Sequence, residues 1–326
     1  MARLVECVPN FSEGRRTEVV DRLAEAVART PGALLLDRTS DASHNRSVLT
    51  LAGEAPAVIL AMDRLVEVAI GEIDMERQTG EHPRIGAIDV IPFVPLGETT
   101  LDDCVELARD FGARIATRFD LPVYLYAAAA TRSDRVKLAD VRRGQYEGLK
   151  AEIDQDGRQP DFGPARMHPS AGAVAVGARP FLIAYNINLA STDLDLAKRI
   201  SRRVRESGGG LPRVQAMGVE LGAAGKQPAC AQVSMNLLDF SVTPLWLVWD
   251  TVRAEAAADG VDLRESELIG LCPLAAFLAV ADHAGFDPSA PIGDRCAAAA
   301  GYLRLPDFSP MQILELRLDA AQRGDA

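Results

Sequence analysis

Phe181-Leu182-Ile183-Ala184-Tyr185-Asn186-Ile187 is a short, largely apolar run that reads as a strand, and the elements after it come in a definite order. A helical pattern spans Leu194 to Val204, a Gly208-Gly209-Gly210 turn comes next, and strands are expected over Arg213 to Val219 and Ala231 to Leu237. A helix over Pro244 to Ala258, a strand over Leu268 to Leu271 and a helix over Leu274 to Ala281 complete the series. The chain has run through this order once before. Leu4-Val5-Glu6-Cys7-Val8 reads as a strand, and Val19, Val20, Leu23, Ala26 and Val27 as one face of a helix that Thr30-Pro31-Gly32 ends. Ala33 to Leu36 and Arg46 to Leu51 read as strands, Glu54 to Ile70 as a helix, and Ile88 to Val94 as a strand interrupted by Asp89 and Pro92.

Strand, helix, strand, strand, helix, strand, stated twice, is the order of two split βαβ units. The expected class is therefore α/β (α+β): two related subdomains, residues 1–178 and 179–326, each a sheet with helices packed on one face, and a ligand channel between them. Asn10, Asn186, Asn188 and Asn236 recur at strand ends, an echo that turn chemistry alone also explains. Between the two statements lie a helix over Leu101 to Ala116, a strand over Val123 to Tyr126, and a polar, aliphatic-poor segment from Arg142 to Pro164. At the end, Met311, Leu314 and Leu318 have helical spacing while Leu314, Leu316 and Leu318 alternate like a strand, and Gln322 to Ala326 is expected to fray.

With 326 residues the chain exceeds the roughly 250–300 that one hydrophobic core usually serves, so two domains are natural on length alone. Apolar residues make up 48% and the net charge is −11, which suits a packed globular protein and a surface field that repels nucleic acid. The densest basic stretch, Lys198, Arg199, Arg202, Arg203 and Arg205, falls on a helical pattern with acidic neighbours and reads as a solvated face. No run reaches the ~18 apolar residues of a membrane span, and Met1 to Cys7 has no leader-like cleavage site, so a cytoplasmic protein without membrane attachment is expected. The five cysteines are widely spaced, as buried thiols would be.

Four histidines occur, and three of them, His44, His82 and His168, stand in loops rich in polar residues, Gly and Pro. Imidazole titrates near neutrality, so loop histidines on a packed scaffold suit proton transfer. Gly80-Glu81-His82-Pro83-Arg84-Ile85-Gly86 is the strongest constellation, and an ion-paired turn with a structural histidine fits its spacing equally well. Asp37-Arg38-Thr39-Ser40-Asp41-Ala42-Ser43-His44-Asn45-Arg46 offers carboxylates, an amide and guanidinium groups for a polar substrate, or simply a solvated loop between strands. Gly163-Pro164-Ala165-Arg166-Met167-His168-Pro169-Ser170-Ala171-Gly172 would admit a flat ligand close to the backbone, with Arg166 for a carboxylate, or would serve as a linker. CxxC, HExxH, P-loop, dinucleotide and Gly-x-Ser-x-Gly patterns are absent, and no metal site is expected.

Taken together, Leu4 to Gly14, His44-Asn45-Arg46, Gly80-Glu81-His82-Pro83-Arg84, Pro160-Asp161-Phe162-Gly163-Pro164, Asn186-Ile187-Asn188-Leu189 and Gln232 to Leu237 resemble the glutamate formimidoyltransferase family, in order and spacing, to about residue 300. The resemblance implies transfer of the formimino group of N-formimidoyl-L-glutamate to N5 of tetrahydrofolate during histidine degradation, with a related formyl exchange between 5-formyltetrahydrofolate and glutamate. A catalytically silent folate-binding protein is the competing reading. It further implies a homodimer, His82 as acid–base catalyst, folate along Gly163 to Gly172, and tetrahydrofolate, with or without a polyglutamyl tail, as co-substrate without a metal. Asp37, Asp41 and Glu81 are candidates to orient His82, and His44, Asn45, Arg46 and Arg84 to meet the substrates. Animal members resemble a fusion with a cyclodeaminase, which here would be a separate partner. Arg77-Gln78-Thr79 departs from the Arg-His-Lys run that animal members tend to carry, and Thr39 stands where some members place an acid.

Overall fold

The computed structural model describes residues 3–80, 82–222 and 229–324, and the chain divides into two compact units, Met1–Pro180 and Phe181–Ala326. In the first unit the elements are β1 (Arg3–Cys7), β2 (Asn10–Phe11), α1 (Thr17–Ala28), β3 (Ala33–Asp41), β4 (Arg46–Gly53), α2 (Ala55–Glu72), β5 (Ile88–Gly97), α3 (Leu101–Phe119), β6 (Val123–Ala127), α4 (Leu138–Val141), α5 (Gln145–Glu152) and β7 (Val174–Ala178). The second holds β8 (Ile183–Leu189), α6 (Leu194–Val204), β9 (Val214–Leu221), β10 (Cys230–Leu237), α7 (Leu245–Ala258), β11 (Leu263–Ile269), α8 (Leu274–His283), α9 (Ile292–Tyr302) and α10 (Leu314–Arg323).

The repeated order is a repeated topology. In the first unit β4 pairs antiparallel with β3 and β1, and β1 with β5. In the second, β10 pairs antiparallel with β9 and β8, and β8 with β11. With the two-residue β2 counted as a continuation of β1 and the strands numbered within each unit, both of these four-strand sets read fourth, first, third, second. The first unit then adds β7 and β6, joined to β5 by parallel pairing, to make a seven-stranded sheet. Parallel strands are buried on both faces. Val123, Leu125, Val174 and Val176 pack with α3 on one side, while Tyr124, Tyr126 and Ala175 pack with Val141 of α4 and Leu149 of α5 on the other. The split βαβ arrangement with helices on one face is thus extended here by a helical cover on the opposite face.

Local sequence explains most elements. Val19, Val20, Leu23 and Val27 recur at helical spacing and bury one face of α1. Asp193 caps α6 by accepting from the backbone N–H groups of Asp195 and Leu196, and Leu196, Ala197, Ile200 and Val204 face inward. The basic residues of α6 lie on the other face, where Arg203 meets Glu255 at 2.7 Å and Arg199 meets Asp259 at 3.6 Å.

Several boundaries move. β3 does not stop at Leu36; it continues to Asp41 and pairs with β4 as far as Asp41 opposite Arg46, so the polar run is mainly an edge strand closed by a tight turn. An edge strand tolerates polar side chains because one side of it meets water. β11 begins at Leu263, since a bulge between Leu263 and Glu265 breaks the alternation that marks a strand. Val174–Ala178, five small buried residues, is an interior strand, and the aliphatic-poor Arg142 to Pro164 segment carries α5. α9 is a helix the apolar pattern did not announce, and the ambiguous tail is helical from Leu314 to Arg323. All five cysteines are buried free thiols. The second core centres on Trp249, 1% exposed. Trp249→Ala is expected to cost about 3–5 kcal/mol, seen as a lower urea midpoint by circular dichroism.

Candidate active site

Three segments of the first unit are stitched into one frame by short polar side chains. Asn45, in the left-handed region at φ 50° in the turn between β3 and β4, accepts from the Gly14 N–H at 2.9 Å and donates to the Thr79 carbonyl at 2.9 Å and to Gln78 Oε1. Gln78 Nε2 donates to the Ser12 carbonyl, and Ser12 Oγ donates to the Gly86 carbonyl at 2.7 Å. The loops after β2, between β3 and β4, and before β5 are thereby held together. Gly80 must be glycine: a Cβ there would overlap the His44 carbonyl and crowd the Asn45 side chain. Asn45 is buried and spent on this frame, so its role is to shape the site.

His82 sits in this frame, half-buried. Its pKa is lowered to about 3, first by burial, then by the charges of Arg46, Arg142, His44 and Arg84. At neutral pH the ring is therefore uncharged and can accept a proton. Glu81 lies outside the described residues. Asp41 spends both oxygens on His44, accepting its backbone N–H at 2.8 Å and facing its Nδ1 at 2.9 Å, which also holds the Asp41 carboxyl below its usual range. Asp37 lies four residues back along the edge strand, opposite Thr50, about 13 Å from Asp41 at ~3.3 Å per residue. The structure thus ties Asp41 to His44 and places Asp37 away from the turn.

The arginines separate cleanly. Arg84, 8% exposed, donates to Glu147 Oε1 at 2.9 Å, to the Gln78 carbonyl at 3.1 Å and to Gln145 Oε1 at 3.2 Å. Arg166, on the surface, is ion-paired to Asp120. Arg46 donates through Nε and Nη2 to the amide oxygen of Asn10. Among the described residues no carboxylate lies within ion-pair distance of it. Burial first, then Arg142, lower the pKa of Arg46 to about 10, so it stays charged. Arg142, just past α4, was not singled out in the sequence because its segment reads as an undistinguished polar run. It is ion-paired to Asp89, whose other oxygen accepts the Ile85 N–H at 2.9 Å.

Gly163 to Gly172 spans from the end of α3 to the frame. Gly163, at φ 85°, packs on the Leu121 carbonyl. Gly163, Ala165, Arg166 and Pro169 are exposed, Pro164, Met167 and Ser170 half-buried, and Ala171 and Gly172 buried. His168 Nδ1 accepts from the Ala171 N–H at 3.0 Å, and burial lowers the His168 pKa. Beyond it the Ala171 carbonyl accepts from the Ala87 N–H at 2.8 Å, and the Ala173 N–H donates to the Ile85 carbonyl at 3.0 Å. The glycine at 172, φ 72°, is required by the Ile85 carbonyl and Gly86 lying where its side chain would be. One end of this stretch is therefore built into the frame that carries His82. Among the described residues no group of acidic, His or Cys side chains is arranged to hold a metal, and no helix is long and apolar enough to cross a membrane.

An uncharged imidazole among guanidinium groups is an arrangement that can exchange a proton beside an anion. The particular family emerges from comparison with known proteins. Residues 4–179 match the formiminotransferase domain, N-terminal subdomain, and residues 184–285 match the formiminotransferase domain. The chain is 44% identical over 319 residues to a glutamate formimidoyltransferase of Streptococcus pyogenes, covering 98% of this chain and 99% of that one. It is 42% identical to a glutamate formimidoyltransferase of Thermoplasma acidophilum, covering 98% of each. It is 46% identical over 284 residues to the formimidoyltransferase-cyclodeaminase of Sus scrofa, covering 85% of this chain and 52% of that protein. The chain belongs to the formiminotransferase family, and it is a transferase.

Proposed function

We propose that this chain transfers the formimino group of N-formimidoyl-L-glutamate to N5 of tetrahydrofolate, giving 5-formimidoyltetrahydrofolate and L-glutamate. Its end-to-end likeness to two glutamate formimidoyltransferases carries this reading. The site supports it chemically. His82, held uncharged, accepts the proton that N5 must lose as it bonds to the formimino carbon. It then returns that proton to the glutamate nitrogen, which leaves as an amine once its bond to carbon breaks. Arg46, a charged, half-buried guanidinium whose one hydrogen-bond partner among the described residues is the Asn10 amide, meets a substrate carboxylate. The partly exposed strip from Gly163 to Pro169, running into the His82 frame through Ala171 and Gly172, is where the folate lies. Holding two substrates together on this frame supplies much of the acceleration. The enzyme acts in histidine degradation in the cytoplasm, as a homodimer, and a cyclodeaminase takes up its product.

The test is formation of 5-formimidoyltetrahydrofolate, monitored spectroscopically, beside formyl transfer between 5-formyltetrahydrofolate and glutamate. Turnover of the formimino substrate at least tenfold faster than formyl exchange is expected. Folate binding with neither reaction would assign the chain a silent binding role.

A further inference from the structure

The largest charge effects on His82 come from Arg46 and Arg142, then from His44 and Arg84, and each of them lowers its pKa. Their counter-charges are unevenly shared. Arg84 has Glu147, and His44 has Asp41. Among the described residues the one carboxylate within ion-pair distance of either Arg46 or Arg142 is Asp89, which is 2% exposed, is bound to Arg142, and accepts a backbone N–H with its other oxygen. Among the described residues the buried Arg142 Nε has no hydrogen-bond partner, and the Arg46 guanidinium has only Asn10. Buried guanidinium groups are ordinarily matched by carboxylates, because an uncompensated buried cation is costly. Two half-buried guanidinium groups with one ion-paired carboxylate among the described residues leave a place for a second anion near His82.

We propose that Arg142, acting with Arg46, holds the α-carboxylate of the amino-acid half of the substrate and so makes the enzyme specific for a formimino donor derived from an α-amino acid. This rests on the transfer reaction proposed above. Two carboxylate sources exist, the formimino donor and the glutamyl tail of the folate, and bond connectivity separates them. The donor's α-carboxylate sits on the carbon bonded to the nitrogen that leaves, so it must be next to the group that protonates that nitrogen. The folate tail is a full aminobenzoyl unit away from N5. A carboxylate arriving at the Arg46–Arg142 pair also offsets the positive field on His82, so the base gains strength only when the correct substrate is seated.

The experiment compares two donors, N-formimidoyl-L-glutamate and N-formimidoyl-4-aminobutyrate, which lacks only the α-carboxylate, for the full-length wild type, Arg142→Met and Arg142→Lys. Wild type is expected to prefer the glutamate donor by about 100-fold in kcat/KM, a preference that shrinks to within about threefold in Arg142→Met, with KM for the glutamate donor rising ~10–100-fold. Arg142→Lys, which keeps a cation for Asp89 but loses the forked geometry, restores part of the preference and reads the same ratio should Arg142→Met not fold. A purely structural role would lower both donors equally and leave the ratio unchanged, overturning the assignment. A rise in Kd for tetrahydrofolate but not for tetrahydropteroate, which has no glutamyl tail, would give the site to the folate and equally overturn it. Wild type inactive on either donor would instead refute the transfer reaction itself.

Discussion

His82→Ala is expected to lower the rate of formimino transfer by about two to four orders of magnitude and to leave tetrahydrofolate binding within a few-fold of wild type. The size reflects the work assigned to the ring: without it, proton removal from N5 and protonation of the departing nitrogen both fall to water. Binding should be spared because the strip proposed for folate, Gly163 to Gly172, is anchored to the frame through the backbone of Ile85 and Ala87, not through the imidazole. pH adds a second readout. In the free enzyme the His82 pKa lies at about 3, so the ring is already the uncharged base above about pH 4 and produces no acid limb in kcat/KM near neutrality. In the substrate complex a carboxylate near Arg46 raises that pKa, so the acid limb of kcat appears at higher pH than that of kcat/KM. Stability responds with a defined sign. The unfolded chain protonates this histidine near its ordinary 6.5 and the folded chain only near 3, so stability is unaffected above about pH 6.5 and is lost as pH falls through that window. Retained activity in His82→Ala, or coincident acid limbs, would remove His82 from the chemistry.

Asp161→Ala is expected to destabilise the first unit by about 3–5 kcal/mol, the largest effect of any single truncation near the site. The Asp161 carboxylate accepts from the Leu125 N–H at 2.9 Å and pairs with Arg135 at 2.5 Å, the two side chains being 8% and 6% exposed. Thr131 also donates to it. Removing it strands a buried guanidinium that lies over the Tyr124 ring, 5.0 Å from its centroid. The loss exceeds the worth of the pair itself, since most of it is the cost of an unmatched buried charge. Pairing Asp161→Ala with Arg135→Leu should therefore recover much of the stability that Asp161→Ala loses alone. Urea denaturation of the three variants measures both statements, and a double variant no better than the single one would contradict the account. In this reading Asp161 of the Pro160 to Pro164 motif is a brace that fixes where Gly163 begins.

His44, Asn45, Arg46, His82 and Arg84 were legible as candidates because each stands in a run of turn residues, and the fold gathers those runs into one frame. Their division of labour was not legible. Asn45 is a buried brace, Arg84 and Arg166 are committed to Glu147 and Asp120, and Asp41 serves His44. Arg142 had no local signal at all, because its importance arises from Asp89, a residue distant in the chain that the α4–α5 cover brings to it.

The sequence by itself determined the order of strands and helices, the statement of that order twice over, and the loop runs that bear chemistry. These are local properties, written in hydrophobic period and turn composition. Only the tertiary structure decided which guanidinium groups are compensated, why His82 is uncharged, and that β6 and β7 are covered on both faces. Burial and counter-charge are sums over segments far apart in the chain, and no window of sequence contains them.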